Sequence, residues 1–270
     1  MKNLSIFGFA ALAALLFTGC VLTENSSQNN SSTDEERIAA VPPPLDEWWK
    51  QIESGGAIFA DFRYKIEDGG IRIIRYEGEG GAISIPAEIE EMPVTSIGIH
   101  AFRETKLTDV VIPDSVTSIG MAAFKNNELT GVTIGNSVEN IGYMAFFGNR
   151  LTNVVIPDSV TSMGIEVFYQ NELANVTIGN GVTSIPAYTF FDNQLTSVVI
   201  PNSVTSIGSN VFDGNPLTEI TIGANVQLER LSIDNLFYEF YNAGGRQAGT
   251  YIAYSIPGAT SYPGHFWTKQ

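Results

Sequence analysis

The chain has 270 residues, 44% of them apolar, enough for a sizeable core. Its 29 acidic residues outnumber 14 basic ones, a formal charge of −15. With no Lys/Arg cluster to neutralise phosphates, nucleic acid is excluded as a partner, and an anionic bilayer would repel the protein surface.

At the N-terminus Lys2 precedes an apolar run, Ile6 to Phe17, followed by "FTGC". This is the three-part layout of a secretory signal, and a run of roughly a dozen residues is too short for a bilayer that needs about 20. Thr18 and Gly19 before Cys20 resemble the lipobox of bacterial lipoproteins, with Phe17 where leucine is usual. The resemblance implies that residues 1–19 are a signal peptide and that Cys20 carries lipid, which places the protein in the cell envelope, at the outer membrane or cell surface. Plain secretion with a free thiol is the other reading. Cys20 is the single cysteine, so no intramolecular disulfide forms. Residues 20–44, polar and closing on "VPPP", read as a flexible tether with a reach of roughly 25–30 Å.

Residues 45–106 read as an N-terminal cap and first repeat. "LDEWWKQIE" suits a short helix that covers a sheet edge with Trp48 or Trp49. "FADFRYKI" and "IRIIRYEG" flank Asp68-Gly69-Gly70, a hairpin signal.

From 107 to 226 the chain repeats itself. Leucines at 107, 129, 151, 173, 195 and 217 are each 22 residues from the last. Phenylalanines at 102, 124, 146, 168, 190 and 212 keep the same step, as do Asn127, Asn149, Asn171, Asn193 and Asn215. A third apolar column runs through Ile97, Ile119, Ile141, Met163, Ile185 and Ile207. Units this small cannot bury their own apolar side, so they stack into a solenoid in which each column becomes a ladder. In "LTSVVI" (195–200) Leu195, Val198 and Ile200 point inward and Thr196, Ser197 and Val199 outward, a short strand. "VTSIG" is a second one. The Asn column belongs in a turn, with its amide bonded to backbone or to the next Asn. "VVIP" alternates with "VTIG", a second period of 44 residues.

Residues 227–270 read as a C-terminal cap. After Val226 the strict period ends: Glu229 falls in the Ile column and Asp234 in the Phe column. "DNLFYEFYNAGG" is an amphipathic helix with Asp234 near its start and Gly244 or Gly245 at its end, and the aromatic tail 250–267 packs over it. The fold class is therefore mainly β: a solenoid of about six units with short parallel strands, a hairpin cap and a short helical cap.

The unit L-x-x-V-x-I-[PG]-x-x-V-x-x-I-G-x-x-x-F-x-x-N-x resembles the BspA-like leucine-rich repeat family, known from surface proteins of host-associated bacteria including treponemes. The resemblance covers roughly residues 70 to 245 and is carried by "IPDSVTSIG" with "AF" in one phase. "FYNAGGRQAGTY" (240–251) is similar to the end segment of treponemal members. The resemblance implies a curved right-handed solenoid with a parallel sheet and, for some members, adhesion to host proteins or other bacteria.

No catalytic constellation is visible. The two histidines, His100 and His265, have no partner at a suggestive spacing, and the carboxylates fall in variable outward slots. No metal motif, phosphate loop or cofactor signature is present. Binding then falls to the surface. One candidate is the stripe Thr108, Thr130, Thr152, Thr196 and Thr218. The other is the set of aromatics in variable turn slots: Tyr143, Phe147, Tyr169, Tyr188 and Phe191. The expected function is non-enzymatic protein binding or adhesion by a lipid-anchored surface protein, with the membrane touched only through the anchor. A carbohydrate-binding or envelope-scaffolding module is the alternative.

Overall fold

The computed structural model describes residues 56–229, 235–255 and 265–270, all within the unit Pro43–Gln270. The signal peptide, Cys20, the tether, the Trp48/Trp49 segment and Asp234 lie outside the described residues.

The N-terminal end is an antiparallel meander of β1 (Ala57–Phe59), β2 (Phe62–Glu67) and β3 (Gly70–Tyr76). Asp68 and Gly69 both take positive φ, 50° and 80°, the two-residue turn that the "DGG" signal anticipates. β4 (Gly81–Ser84), β5 (Glu88–Ile89) and β6 (Met92–Ile97) form the first unit. Its extra residues are a tight hairpin between β5 and β6, turning at Glu90 and Glu91. β3 pairs in parallel with β6 and so hands the cap over to the solenoid.

Each following unit contributes a longer strand and a two-residue strand. The longer ones are β7 (Leu107–Val111), β9 (Gly131–Thr133), β11 (Asn153–Ile156), β13 (Asn175–Ile178), β15 (Ser197–Val199) and β17 (Glu219–Ile222). Alternating with them are β8 (Ser118–Ile119), β10 (Asn140–Ile141), β12 (Ser162–Met163), β14 (Ser184–Ile185), β16 (Ser206–Ile207) and β18 (Gln227–Leu228). Up to β17 on the long side and β16 on the short side, partners are parallel and 22 residues apart, as in Asn153↔Asn175 and Ser184↔Ser206. The inward set is as the pattern requires: Leu195, Val198 and Ile200 are buried, and Thr196, Ser197 and Val199 are exposed.

The Phe column is a stack at the core. Phe102 to Phe212 are at most 1% exposed, with centroids 4.9–5.8 Å apart and planes within 14°. Tyr76 continues the stack at 5.5 Å and 27°, and Phe62 packs on Tyr76, so the cap seals that end. The Asn column lies beside it. Asn171 donates to the carbonyls of Phe146 (3.0 Å) and Phe168 (3.2 Å) and accepts from the Leu151 amide (3.1 Å). Asn149 and Asn193 repeat this pattern. The expected Asn-to-Asn bond does not form, because both amide hydrogens are already spent on carbonyls of two successive turns.

The long strands do not form one continuous sheet. β7 pairs with β9, β11 with β13 and β15 with β17, and the ladder lapses between pairs. The "VVIP" units end in Pro113, Pro157 and Pro201. The "VTIG" units put glycine there, and a Cβ on Gly135 would stand 2.4 Å from the Pro113 carbonyl oxygen. The 44-residue period is thus a structural pairing of units.

At the C-terminal end the ladder outlasts the strict period. One residue is missing, so Leu228 instead of Glu229 pairs with Ile207 and takes the buried slot. Helix α1 (Asn235–Ala243) follows. It closes with Gly245 at φ 73°, the Gly245 amide bonded to the Asn242 carbonyl and the Arg246 amide to that of Tyr241. The tail adds more than the helical cap expected: β19 (Gly249–Ser255) runs antiparallel to β17 and covers its edge, and β20 (His265–Lys269) pairs with β19. Phe237, Tyr241, Tyr251 and Trp267 form a buried aromatic cluster over the last units.

Candidate binding surface

Between each short strand and the next long one runs a turn with two left-handed residues. Met144 and Gly148 have φ 55° and 66°, Glu166 and Gln170 61° and 54°, Tyr188 and Asp192 58° and 55°. This alternation points every second N–H along the solenoid axis. Met144, Phe146 and Gly148 donate to the carbonyls of Ile165, Val167 and Tyr169 in the next turn, at 3.0–3.1 Å. Phe146 thereby turns into the core, while Phe147 is held at the outer face.

Phe147, Tyr169 and Phe191 occupy one column and form a second ring ladder, half-buried on the outer face of the turns. Their centroids are 4.9 and 5.0 Å apart with planes within 5°. Lys125, one rung earlier, sets its ammonium 4.4 Å from the Phe147 centroid and donates to Met144 Sδ at 3.2 Å. Tyr188 leans on Phe191 at 5.6 Å and 52°. Tyr143 lies outside the ladder, and its hydroxyl donates to Glu166 Oε1 at 3.3 Å. Burial raises the Tyr169 hydroxyl above its usual value, with the charges of Asp192 and Glu166 adding to it. Burial pulls the Lys125 ammonium down, helped by Arg103.

All five threonines are exposed: Thr108 lies on β7, and Thr130, Thr152, Thr196 and Thr218 directly precede β9, β11, β15 and β17. Ala174 interrupts the stripe. Thr130 and Thr218 donate their hydroxyls to the carbonyls of Thr108 and Thr196, both at 3.2 Å, so part of the stripe's donor capacity serves the ladder itself. Beside it Val155 and Val199 are 62% and 65% exposed.

Two features escaped the sequence reading. Lys125 caps the aromatic ladder; its signal was its place in the Phe147 column. A second threonine column runs just ahead of the short strands, where Thr117 and Thr205 bond back to the Thr95 and Thr183 carbonyls.

His100 is half-buried, and burial, followed by the charges of Arg103 and Lys125, lowers its pKa to about 4. A shallow hollow of about 500 Å³ lies where the N-terminal cap meets the first units, with Arg75, Glu77, Glu104 and Lys106 in its wall. Among the described residues no group of three or more His, Cys, Asp or Glu could hold a metal, and no helix is long and apolar enough to cross a membrane.

Residues 95–219 match the BspA type Leucine rich repeat region in six copies. None of the curated proteins matches the chain. Among solved structures, a leucine rich cell surface protein from Faecalibacterium prausnitzii A2-165 is 27% identical, with a TM-score of 0.51 over 77% of this chain and 62% of that one. The pneumococcal vaccine antigen PcpA is 20% identical, with a TM-score of 0.54 over 66% of this chain and 51% of its own. The chain therefore spans less than two thirds of either relative.

Proposed function

Since residues 95–219 form a BspA-type leucine-rich repeat region, we propose that this chain is a non-enzymatic, surface-displayed binding protein that adheres to protein partners through the outer face of its turns. Cys20 and the tether behind it supply the lipid anchor in this reading. The observation that carries it is the half-buried ladder Phe147–Tyr169–Phe191. Large rings fixed by stacking lose little entropy on contact, and such residues dominate protein interfaces. The solved relative from F. prausnitzii is described as a cell surface protein, which agrees with display at the surface.

The ladder does not favour the glycan alternative. A sugar-binding platform needs several open ring faces, whereas both faces of Tyr169 are covered by Phe147 and Phe191 and one face of Phe147 by Lys125, which leaves the column a single end face, at Phe191.

The test is adhesion of the purified chain to immobilised host-matrix and bacterial surface proteins. Tyr169→Ser with Phe147→Ser should weaken capture at least tenfold with the fold intact by circular dichroism. Unchanged capture would remove the ladder from the interface. Cys20→Ala should move the protein from the membrane fraction to the soluble one, and unchanged fractionation would sink the anchor.

A further inference from the structure

The aromatic ladder has unlike ends. Its column reads Arg103, Lys125, Phe147, Tyr169, Phe191, Asp213. At the first end an ammonium sits on the Phe147 face. Ring faces are electron-rich, so this is the favourable arrangement. At the last end the next rung is a carboxylate, which that same electron density repels. Asp213 accepts from the Gly214 amide at 3.0 Å and from Asn210 Nδ2 at 3.4 Å, both neutral donors. Asp192, beside Phe191, is exposed. From 151 to 229 the chain holds seven carboxylates and no Lys, Arg or His, so this stretch has no cation of its own to offer. Tyr188 packs against Phe191 with centroids 5.6 Å apart at 52°.

Resting on the adhesion reading above, we infer that the Phe191 end of the ladder seats a lysine or arginine side chain of the partner protein, against the Phe191 and Tyr188 rings and beside the carboxylates of Asp192 and Asp213. The chain makes the same kind of contact internally at the opposite end, where Lys125 covers Phe147. The partner therefore presents a basic segment to the C-terminal half of the solenoid. Attraction between unlike surface charges speeds its arrival, and the rings hold it in register.

Hexaarginine, hexalysine and hexaglutamine are the probes, titrated calorimetrically into the full chain in detergent at low and at physiological salt. Hexaarginine and hexalysine should bind and hexaglutamine should not. Phe191→Leu and Asp213→Asn should each weaken binding by about fivefold. Phe191→Tyr, which keeps the ring, should retain it. Asp158→Asn removes the same charge from a corner far along the unit from the turn, and should leave binding unchanged. If Asp158→Asn weakens binding as much as Asp213→Asn, the attraction is diffuse and the seat is wrong. Equal binding by Phe191→Leu also overturns it. Should Phe191→Leu melt early, Asp213→Asn against Asp158→Asn decides the matter alone. Loss of adhesion in the variant with Tyr169→Ser and Phe147→Ser, together with no hexaarginine binding at all by the unaltered chain, would leave the adhesion face standing and overturn the cation seat.

Discussion

Asn171 shows how a polar side chain holds a place inside an apolar column. Its amide bridges Phe146, Phe168 and Leu151, three backbone groups from two successive units, in a site 7% exposed. Asn171→Ala would leave an N–H and two carbonyls without partners, at about 1–3 kcal/mol for each group left dry. The expected loss is about 3–5 kcal/mol in denaturant unfolding, as large as the about 3–5 kcal/mol expected for Phe168→Ala. A loss below about 1 kcal/mol for Asn171→Ala would mean that water enters and replaces the amide. His100 gives a pH signature. Its folded pKa, about 4, lies below the ordinary histidine value of 6.5, so the unfolded chain takes up a proton that the fold refuses. Stability is then complete above pH 6.5 and falls as the pH drops toward 4. The group is only half-buried, and solvent screening reduces the effect to about 1 kcal/mol by pH 5. His100→Asn, with a residue that suits the left-handed φ of 58°, should flatten the profile between pH 6.5 and 5. Parallel profiles for the two proteins would show that His100 is not the titrating group.

The short strands contain one seam with a covalent cause. Gly120, Gly142, Gly164 and Gly208 donate their N–H to Ile97, Ile119, Ile141 and Ile185, all at 2.8 Å. At the same position the remaining unit has Pro186, which has no N–H, and the ladder divides between β12 and β14. On the long-strand side the same two units stay bonded from Asn153 to Ile156. The weak point therefore lies on one face only. Hydrogen exchange should find the Thr183 amide at least tenfold faster than that of Thr205, which donates to the Thr183 carbonyl at 2.8 Å. Equal protection would mean that the seam is bridged in solution. The seam was not legible beforehand. "VTSIP" differs from its neighbours by one letter, and the pattern marked where a strand ends without showing which donor is lost. The inward columns were legible because repetition states each of them several times, and a ladder of Leu, Ile or Phe has one way to bury itself. The outer rings were legible as candidates. Their stacking was not, because it depends on left-handed turn residues as varied as Met144, Glu166 and Tyr188.

In the whole molecule, repetition explains the middle and fails at both ends. A solenoid unit is stable because its neighbours are, so the terminal units depend on elements that occur once. At the N-terminal end an ordinary hairpin signal, Asp68-Gly69, revealed the cap. At the C-terminal end the sequence reading found the helix and missed the hairpin, since β19 and β20 have no copies and their pairing joins residues far apart in the chain. Yet β19 is what covers the open edge of β17, from Glu219 to Ile222, and Tyr251 and Trp267 are what close the aromatic cluster around Phe237. Removing residues 247–270 would bare that strand edge and uncover Phe237 and Tyr241 together. An unpaired parallel edge beside exposed rings is a template for another chain. The truncated protein should associate as its concentration rises, seen as growth in light scattering. Amide protection should fall first at Ile220 and Val198, while Val110 and Thr133, several units away, keep theirs. Loss spread evenly over all four would mean that the solenoid unfolds as one body and not from its end. A monomer with full protection at Ile220 would show that the helix alone closes the array.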